Sequence, residues 1–370
     1  MKKDDIKKLV MPFVICCVIA SLCCVGVFNL AGDVKIISAC VSLLFPNHLS
    51  QVTTSDIGIS LKNASFSEKN NALQQDKNDN RQTVNINSLA YTPDDIQQLI
   101  DSAKESFDEE EKGGNVISQT FGESSASQKE GNILVKNTTG RSLDISETLK
   151  LDSPLKKINK NEISVLVFHT HTTESYLMLD KTTYPKTASV RSEDKNRNMV
   201  RVGKEIVAEL EKAGIGVIHD TNIYDRQYSG AYERSGAAID EYLKKYPTIQ
   251  VVLDIHRDAI QTSETSKIKP VTTINGKKAA QIMIITGCEG GDVTDFPEWE
   301  QNLRFALRLQ KTAEDMYPTL MRPLFFCNRK YNMYKTKCSL LLEMGSDVNT
   351  LDEAAYSGRL IGHTLAEMLI

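Results

Sequence analysis

Apolar and polar positions divide the chain into three regimes. Lys2, Lys3, Lys7 and Lys8 precede an almost unbroken apolar run at 9–31, whose most polar member is Asn29. A helix over that run is long enough to cross a hydrocarbon core of about 30 Å. It predicts a single transmembrane anchor at 9–31, with residues 1–8 in the cytoplasm and the rest of the chain outside, because flanking lysines stay inside. A cleaved signal peptide is the rival; the length of the run and the lack of a small-x-small site after it speak against cleavage. The apolar patch at 36–45 is too short to span. From about 50 to 130 polar residues dominate, and a stretch such as 67–81 cannot bury enough apolar surface to offset the entropy of ordering. Residues 32–130 are therefore predicted to be a largely disordered extracytoplasmic linker that tethers the C-terminal part of the chain. Within it, Ile96, Leu99, Ile100 and Ala103 recur at helical spacing and predict one short helix.

From residue 131 to the end the pattern changes. Short β-branched runs at 133–137, 163–168, 215–219, 249–255 and 339–344 read as strands, and amphipathic stretches around 199–212, 232–245 and 299–317 read as helices. Over 199–212, Val202, Ile206, Val207 and Leu210 share a face, and Gly214 follows as a C-terminal stop. Asn275-Gly276 suits a type I′ turn and predicts a hairpin between 271–274 and 279–286. Thr350 and Glu353 have the spacing of a capping box that opens a last helix. Strands alternating with amphipathic helices imply an α/β domain over 131–370, a mostly parallel sheet with helices on both faces.

Composition narrows the partners. A net charge of −4, with no basic block interleaved with aromatics, argues against nucleic acid. Of the eight cysteines, Cys16, Cys17, Cys23, Cys24 and Cys40 lie in or beside the apolar segment. Cys288, Cys327 and Cys338 belong to the globular part, and no CxxC pair suggests a thiolate site.

The chemistry gathers at strand ends. The 163–168 strand opens directly into His169-Thr-His171-Thr-Thr-Glu174, two histidines and a carboxylate within six residues. His171 and Glu174, three apart, can reach one side of an ion; two surface histidines in a polar loop are the bland alternative. His256 follows a second strand and Glu343 ends the last. In open α/β sheets the working site lies at the carboxyl ends of the strands, so all four can converge on one rim. Two imidazoles and one carboxylate make a typical open zinc site, and a further carboxylate is needed to move the water's proton. Glu343, within an apolar strand, is placed for that role, with a surface-type pairing to a lysine as the plainer reading. Asp254 and Asp258 bracket His256, and either can orient its ring; Arg257 is the candidate oxyanion donor, with a local Arg–Asp ion pair as the alternative. His219, also at a strand end, can line the cleft, whereas His363 and His48 read as structural or surface residues.

These segments carry a family resemblance. Ile133-Leu-Val-Lys-Asn-Thr-Thr, His169-Thr-His-Thr-Thr-Glu-Ser-Tyr, Asp254-Ile-His-Arg-Asp-Ala and Leu342-Glu-Met-Gly-Ser-Asp-Val-Asn resemble, in order, the stage II sporulation protein P family. The resemblance implies a zinc-dependent N-acetylmuramoyl-L-alanine amidase acting on peptidoglycan, with possible endopeptidase activity on cross-links. It further implies engulfment during endospore formation, a place in the mother-cell membrane at the sporulation septum, and stage II sporulation proteins D and M as partners. More distantly the domain is similar to cell-wall amidases of the phosphorylase/hydrolase-like fold. Their pattern places the first zinc histidine on His171, not His169, and the carboxylate ligand on Glu193 or Asp194 at the start of the next helix. Zinc carboxypeptidases of related fold use His-x-x-Glu, which His171 and Glu174 match. The expected set is therefore His171, Glu174 and His256 on zinc, with His169 and Glu193 in reserve, Glu343 as general base and acid, and Arg257 at the oxyanion. Two rival functions are a non-haem iron oxygenase, which the same ligand types also suit, and a catalytically silent membrane-anchored wall-binding scaffold with a structural metal site.

Overall fold

The alternation seen in the sequence folds as layers around one long sheet. The computed structural model describes residues 86–107, 111–160 and 162–370, all within a compact unit spanning 69–370. The anchor expected at 9–31, the patch at 36–45 and the first part of the linker lie outside the described residues. Among the described residues no helix is long and apolar enough to cross a membrane.

In chain order the elements are α1 (Asp94–Phe107), β1 (Lys112–Gln119), β2 (Gln128–Glu130), β3 (Ile133–Asn137), α2 (Ile145–Lys150), β4 (Ile163–Phe168), β5 (Thr183–Pro185) and α3 (Met199–Lys212). Next come β6 (Gly216–His219), α4 (Ala231–Lys245), β7 (Val251–Asp258), β8 (Gln261–Ser263), β9 (Ser266–Ile274), β10 (Lys277–Ala280) and β11 (Ile282–Gly287). The chain ends with α5 (Trp299–Met316), β12 (Leu324–Cys327), β13 (Cys338–Ser346) and α6 (Leu351–Leu369). The main sheet has eight strands in the order β2-β3-β12-β11-β13-β7-β4-β6. It is parallel except at β2–β3 and β11–β13. Val165, Val167, Leu253, Ile255, Leu340 and Leu342 face a large apolar cluster with the inner faces of α3, α5 and α6. The opposite face takes Leu166, Phe168 and Val252 against Ile239 of α4. Each such side chain, fully buried, contributes about 1.5–3 kcal/mol. The mixed α/β architecture with helices on both faces is the one the pattern predicts.

Local signals set the boundaries. Asn198 caps α3 by accepting from the Val200 N–H, and Thr350 and Glu353 form the reciprocal box that starts α6. Asn275 and Gly276 both have positive φ, as a type I′ turn requires, and join β9 to β10. The run expected as one strand over 279–286 breaks, however, at Gln281. Its buried amide accepts from the Phe121 N–H and donates to the carbonyls of Phe121 and Thr319, so the chain leaves one sheet there and enters the other.

The larger correction concerns the linker. Of the 32–130 segment, the described part is folded with the domain rather than disordered. β1 runs parallel to β9 and antiparallel to β5 in a smaller sheet of order β10-β9-β1-β5, with β8 also on β9, and β2 pairs with β3. α1 buries Ile96, and Arg201 of α3 pairs with Asp95 at 2.8 Å. Arg359 of α6 is buried and donates to the carbonyls of Leu89 (2.9 Å) and Tyr91 (2.5 Å). The arm so held also holds the site: β5 lies in the segment that leads from Glu174 to α3.

Candidate active site

Register brings the distant residues together. β7 and β13 run side by side with Glu343 opposite His256, so their side chains project from the same face. Asp254, two residues before His256, shares that face, which is the one α4 covers. β4 ends at Phe168, opposite Asp254, and delivers the turn 169–174 onto the same rim. The site thus lies at the carboxyl ends of β4, β7 and β13, where such sheets place their chemistry.

His171, Glu174, His256 and Glu343 are all gathered there, and the first three are buried. The His256 and His171 rings meet edge to face with centroids 5.2 Å apart. His256 Nδ1 stands 3.5 Å from Glu174 Oε2, and its Nε2 stands 2.8 Å from Asp254 Oδ1. Asp254 is locked in turn, accepting from the Thr170 N–H at 2.8 Å and the Thr170 hydroxyl at 2.7 Å. Of the two flanking carboxylates, then, Asp254 orients the histidine; Asp258 is paired with Arg322 at 2.9 Å.

The electrostatics reflect this placement. Burial alone would raise the Glu174 carboxyl, but His256, Arg257 and His171 outweigh it and hold the pKa at about 2. Burial drives the His171 ring down to about 4, with His256 adding to the fall, so the ring is neutral. Burial would do the same to His256, yet Asp254 and Glu174 keep its pKa well above the usual value. His256 holds a proton between two carboxylates, at a place where a cation could stand instead. Glu343 is pushed up to about 8, first by burial and then by Asp258.

Three buried atoms here lack a hydrogen-bond partner: His171 Nδ1, Glu343 Oε2 and His256 Nε2, the last close to Asp254 at ion-pair distance but without hydrogen-bond alignment. A buried polar atom without a partner costs about 1–3 kcal/mol, so such atoms mark positions that a ligand completes. Among the described residues no group of three or more His, Cys, Asp or Glu stands ready-made at metal-holding spacing. The donor chemistry nevertheless fits a zinc ion. A neutral ring nitrogen is unclaimed, an ionised carboxylate lies beside it, and a second histidine is backed by an aspartate in the manner of metal-ligating imidazoles.

The reserve and oxyanion candidates lie elsewhere. His169 is fully buried and turned towards α3, where its Nδ1–H donates to the Ile255 carbonyl (3.1 Å) and its Nε2 meets His219 Nε2 at 3.0 Å. Both ring nitrogens are engaged, and none is left for a metal. Glu193 is exposed and paired with Arg226 at 3.1 Å, outside the buried cluster. Asp194 is likewise outside it, bonded to its own turn. Arg257 is buried, but its guanidinium donates to three backbone carbonyls, those of Ser175 (3.0 Å), Val190 (2.6 Å) and Asp258 (3.3 Å). It fastens the segment after Glu174 to β7 and is not free to meet an oxyanion. His363 bonds the Tyr317 hydroxyl at 2.6 Å, in the structural place expected of it.

The structure adds residues that the sequence did not single out. Tyr228 is half exposed and stacks on His171, centroids 4.6 Å apart and planes 6° apart. Tyr232, in the first turn of α4, lies parallel to His256 at 6.4 Å and edge-on to His171 at 5.5 Å, with Tyr331 behind it at 5.1 Å. Arg191 bonds buried Asp225 at 2.5 Å, approaches Glu174 Oε1 to 3.7 Å and covers Tyr228. Tyr228 precedes α4 and Tyr232 lies in its first turn, so no helical spacing links them, and the sequence carried no signal for either.

Comparison with known proteins agrees in direction. A family model described as stage II sporulation protein P matches residues 52–367. The stage II sporulation protein P of Bacillus subtilis (strain 168) is 28% identical over 235 residues, 60% of this chain and 55% of the relative. The chain thus spans about half the length of that curated relative. Among solved structures, the N-acetylmuramoyl-L-alanine amidase AmiC2 of Nostoc punctiforme has a TM-score of 0.35 at 14% identity, covering 57% of this chain and 96% of that one. An N-acetylmuramoyl-L-alanine amidase from Clostridium difficile 630 has a TM-score of 0.32 at 15% identity, covering 56% and 96%. Likenesses at TM-scores this low leave the chemistry of the site to its own residues.

Proposed function

Since the chain belongs to the stage II sporulation protein P family, we propose that it is a metal-dependent peptidoglycan hydrolase that cleaves the amide between N-acetylmuramic acid and L-alanine. One observation carries this reading: two histidines and a carboxylate buried around an unclaimed ring nitrogen, next to a glutamate whose own buried oxygen is unclaimed. His171, Glu174 and His256 would hold the metal, taken as zinc. When bound, zinc supplies positive charge that lowers the pKa of water to near 7 and polarises a carbonyl.

The remaining work falls to the chain. Glu343 takes the proton of the attacking water and passes it to the leaving amine nitrogen. A carboxyl at about 8 both accepts and releases a proton near neutral pH, which is the balance this shuttle needs. Asp254 fixes the His256 ring, and Thr170 fixes Asp254. Arg257 holds the segment carrying Ser175 and Val190 against β7, keeping Glu174 in place. The proposal extends to a membrane anchor at 9–31, with the domain outside the mother-cell membrane at the septum, and to stage II sporulation proteins D and M as partners. Cleavage of peptide cross-links is a second activity of the same site.

The test is digestion of purified peptidoglycan by the full chain, with and without a chelator and with zinc restored, products being read by mass spectrometry. Stem peptides with a new L-Ala amino terminus, lost on chelation and recovered with zinc, support the amidase. Release of peptides cut only within the cross-link would replace the amidase with an endopeptidase. No release under any metal condition would favour the wall-binding scaffold.

A further inference from the structure

Amide hydrolysis, the reading on which this inference rests, needs a donor at the carbonyl oxygen that takes up charge as water adds. With Arg257 committed to three backbone carbonyls, that place is open. Tyr232 is positioned to fill it. Its ring is parallel to His256, edge-on to His171 and backed by Tyr331, so it forms one wall of the site. Asp254, Tyr331, Glu343 and Glu174 lie near enough to its hydroxyl to act on it electrostatically. Tyr232 is partly buried, and among the described residues no protein group holds its hydroxyl, whereas two buried phenols nearby are tied down: Tyr176 donates to the Met344 carbonyl at 2.8 Å and Tyr224 to Asp220 at 2.5 Å. The first turn of α4 is pinned as well, since Asn332 Nδ2 donates to the Tyr232 carbonyl (3.2 Å) and to Ser235 (2.9 Å). A donor held in place before the reaction avoids the cost of organising one during it.

We propose that the Tyr232 phenol O–H is the hydrogen-bond donor to the oxygen of the scissile carbonyl. Water's oxygen adds to the carbonyl carbon, and the π pair moves onto the carbonyl oxygen. The water's proton goes to Glu343 and from there to the leaving nitrogen as the C–N bond breaks. Tyr232 lends a hydrogen bond throughout and keeps its proton. Glu343 and Tyr232 thus divide the work: one moves a proton, the other steadies charge.

The experiment compares wild type and Tyr232→Phe as full-length, zinc-loaded protein on soluble muramoyl-peptide oligomers. Phenylalanine keeps every ring contact and removes only the hydroxyl. The expected result is a fall in kcat of about 10²–10³-fold, the usual cost of losing one oxyanion donor. KM, zinc content and the unfolding midpoint stay as in wild type. Affinity for a tetrahedral phosphinate analogue falls by a similar factor. Turnover by Tyr232→Phe within threefold of wild type, or a defect confined to KM or to zinc content, overturns the assignment. Absence of turnover by wild type is a different result, one that overturns the hydrolase reading and this inference with it.

Discussion

One strand end supplies two histidines two residues apart, and they meet opposite fates. His169 turns towards α3 and is satisfied on both sides, by the Ile255 carbonyl and by His219. Because a carbonyl can only accept, Nδ1 carries the proton, and His219 donates to the other nitrogen. His171 turns towards α4 and keeps a buried nitrogen that nothing claims. Both rings are buried, and burial pushes both pKa values down. What separates structure from function here is therefore satisfaction, not burial. The back pair closes a gap under the sheet; the front group, with Glu174, His256 and Glu343, leaves its donors open at a cost in stability.

The largest test of that contrast is Glu343→Gln. Losing the proton shuttle should lower turnover by about 10²–10⁴-fold, measured on purified peptidoglycan, while zinc content is unchanged. The unfolding midpoint should hold or rise, because a neutral amide replaces a buried acid with an unpartnered oxygen. A lower midpoint with turnover intact would make the front group structural after all.

The back pair should instead report in stability. Burial, with Lys195 adding to it, lowers His219 to about 4 against an unfolded value near 6.5. The unfolded chain then takes up a proton first, so the contribution is complete above about pH 6.5 and is lost as pH falls towards 4. Roughly 3 kcal/mol lies in that window. Denaturant titrations across it should show stability falling with acid in wild type and a flatter profile in His219→Gln. Equal slopes would remove His219 from the account.

The smallest effect is steric. Gly203 of α3 faces the back pair so closely that a Cβ there would lie 2.6 Å from His169 Cε1 and 2.8 Å from His219 Nε2. Gly203→Ala should cost about 1–3 kcal/mol by overpacking, read as a lower urea midpoint, and leave zinc binding untouched. An unchanged midpoint would mean that the two rings are less fixed than the hydrogen bonds imply.

Much of this contrast was legible in the chain, and the missing parts share a cause. Strands with apolar runs, such as 163–168, declared themselves, and so did the caps of α3 and α6, because those signals are local. β1 did not. Its sequence Lys-Gly-Gly-Asn-Val-Ile-Ser-Gln has two apolar side chains, and it is a strand because β9 and β5 offer edges on either side of it. The convergence of His171, Glu174, His256 and Glu343 followed from strand ends on one rim. The position of Arg257 did not, since nothing in Asp-Ile-His-Arg-Asp says that the carbonyls of Ser175 and Val190 will lie against it. His169 and His171 look alike in sequence, and only the element packed behind each ring tells them apart. Tyr228 and Tyr232 sit in no motif; aromatic neighbours gave them their place.

The central claim is that the unclaimed donors at His171 belong to a metal ion. Calorimetric titration of zinc into the metal-free full chain, set against His171→Asn and His169→Asn, measures it directly. The account predicts one tight zinc in wild type and in a folded His169→Asn, and none in a His171→Asn that stays folded. Zinc binding by His171→Asn equal to wild type, or its loss only in His169→Asn, would contradict it.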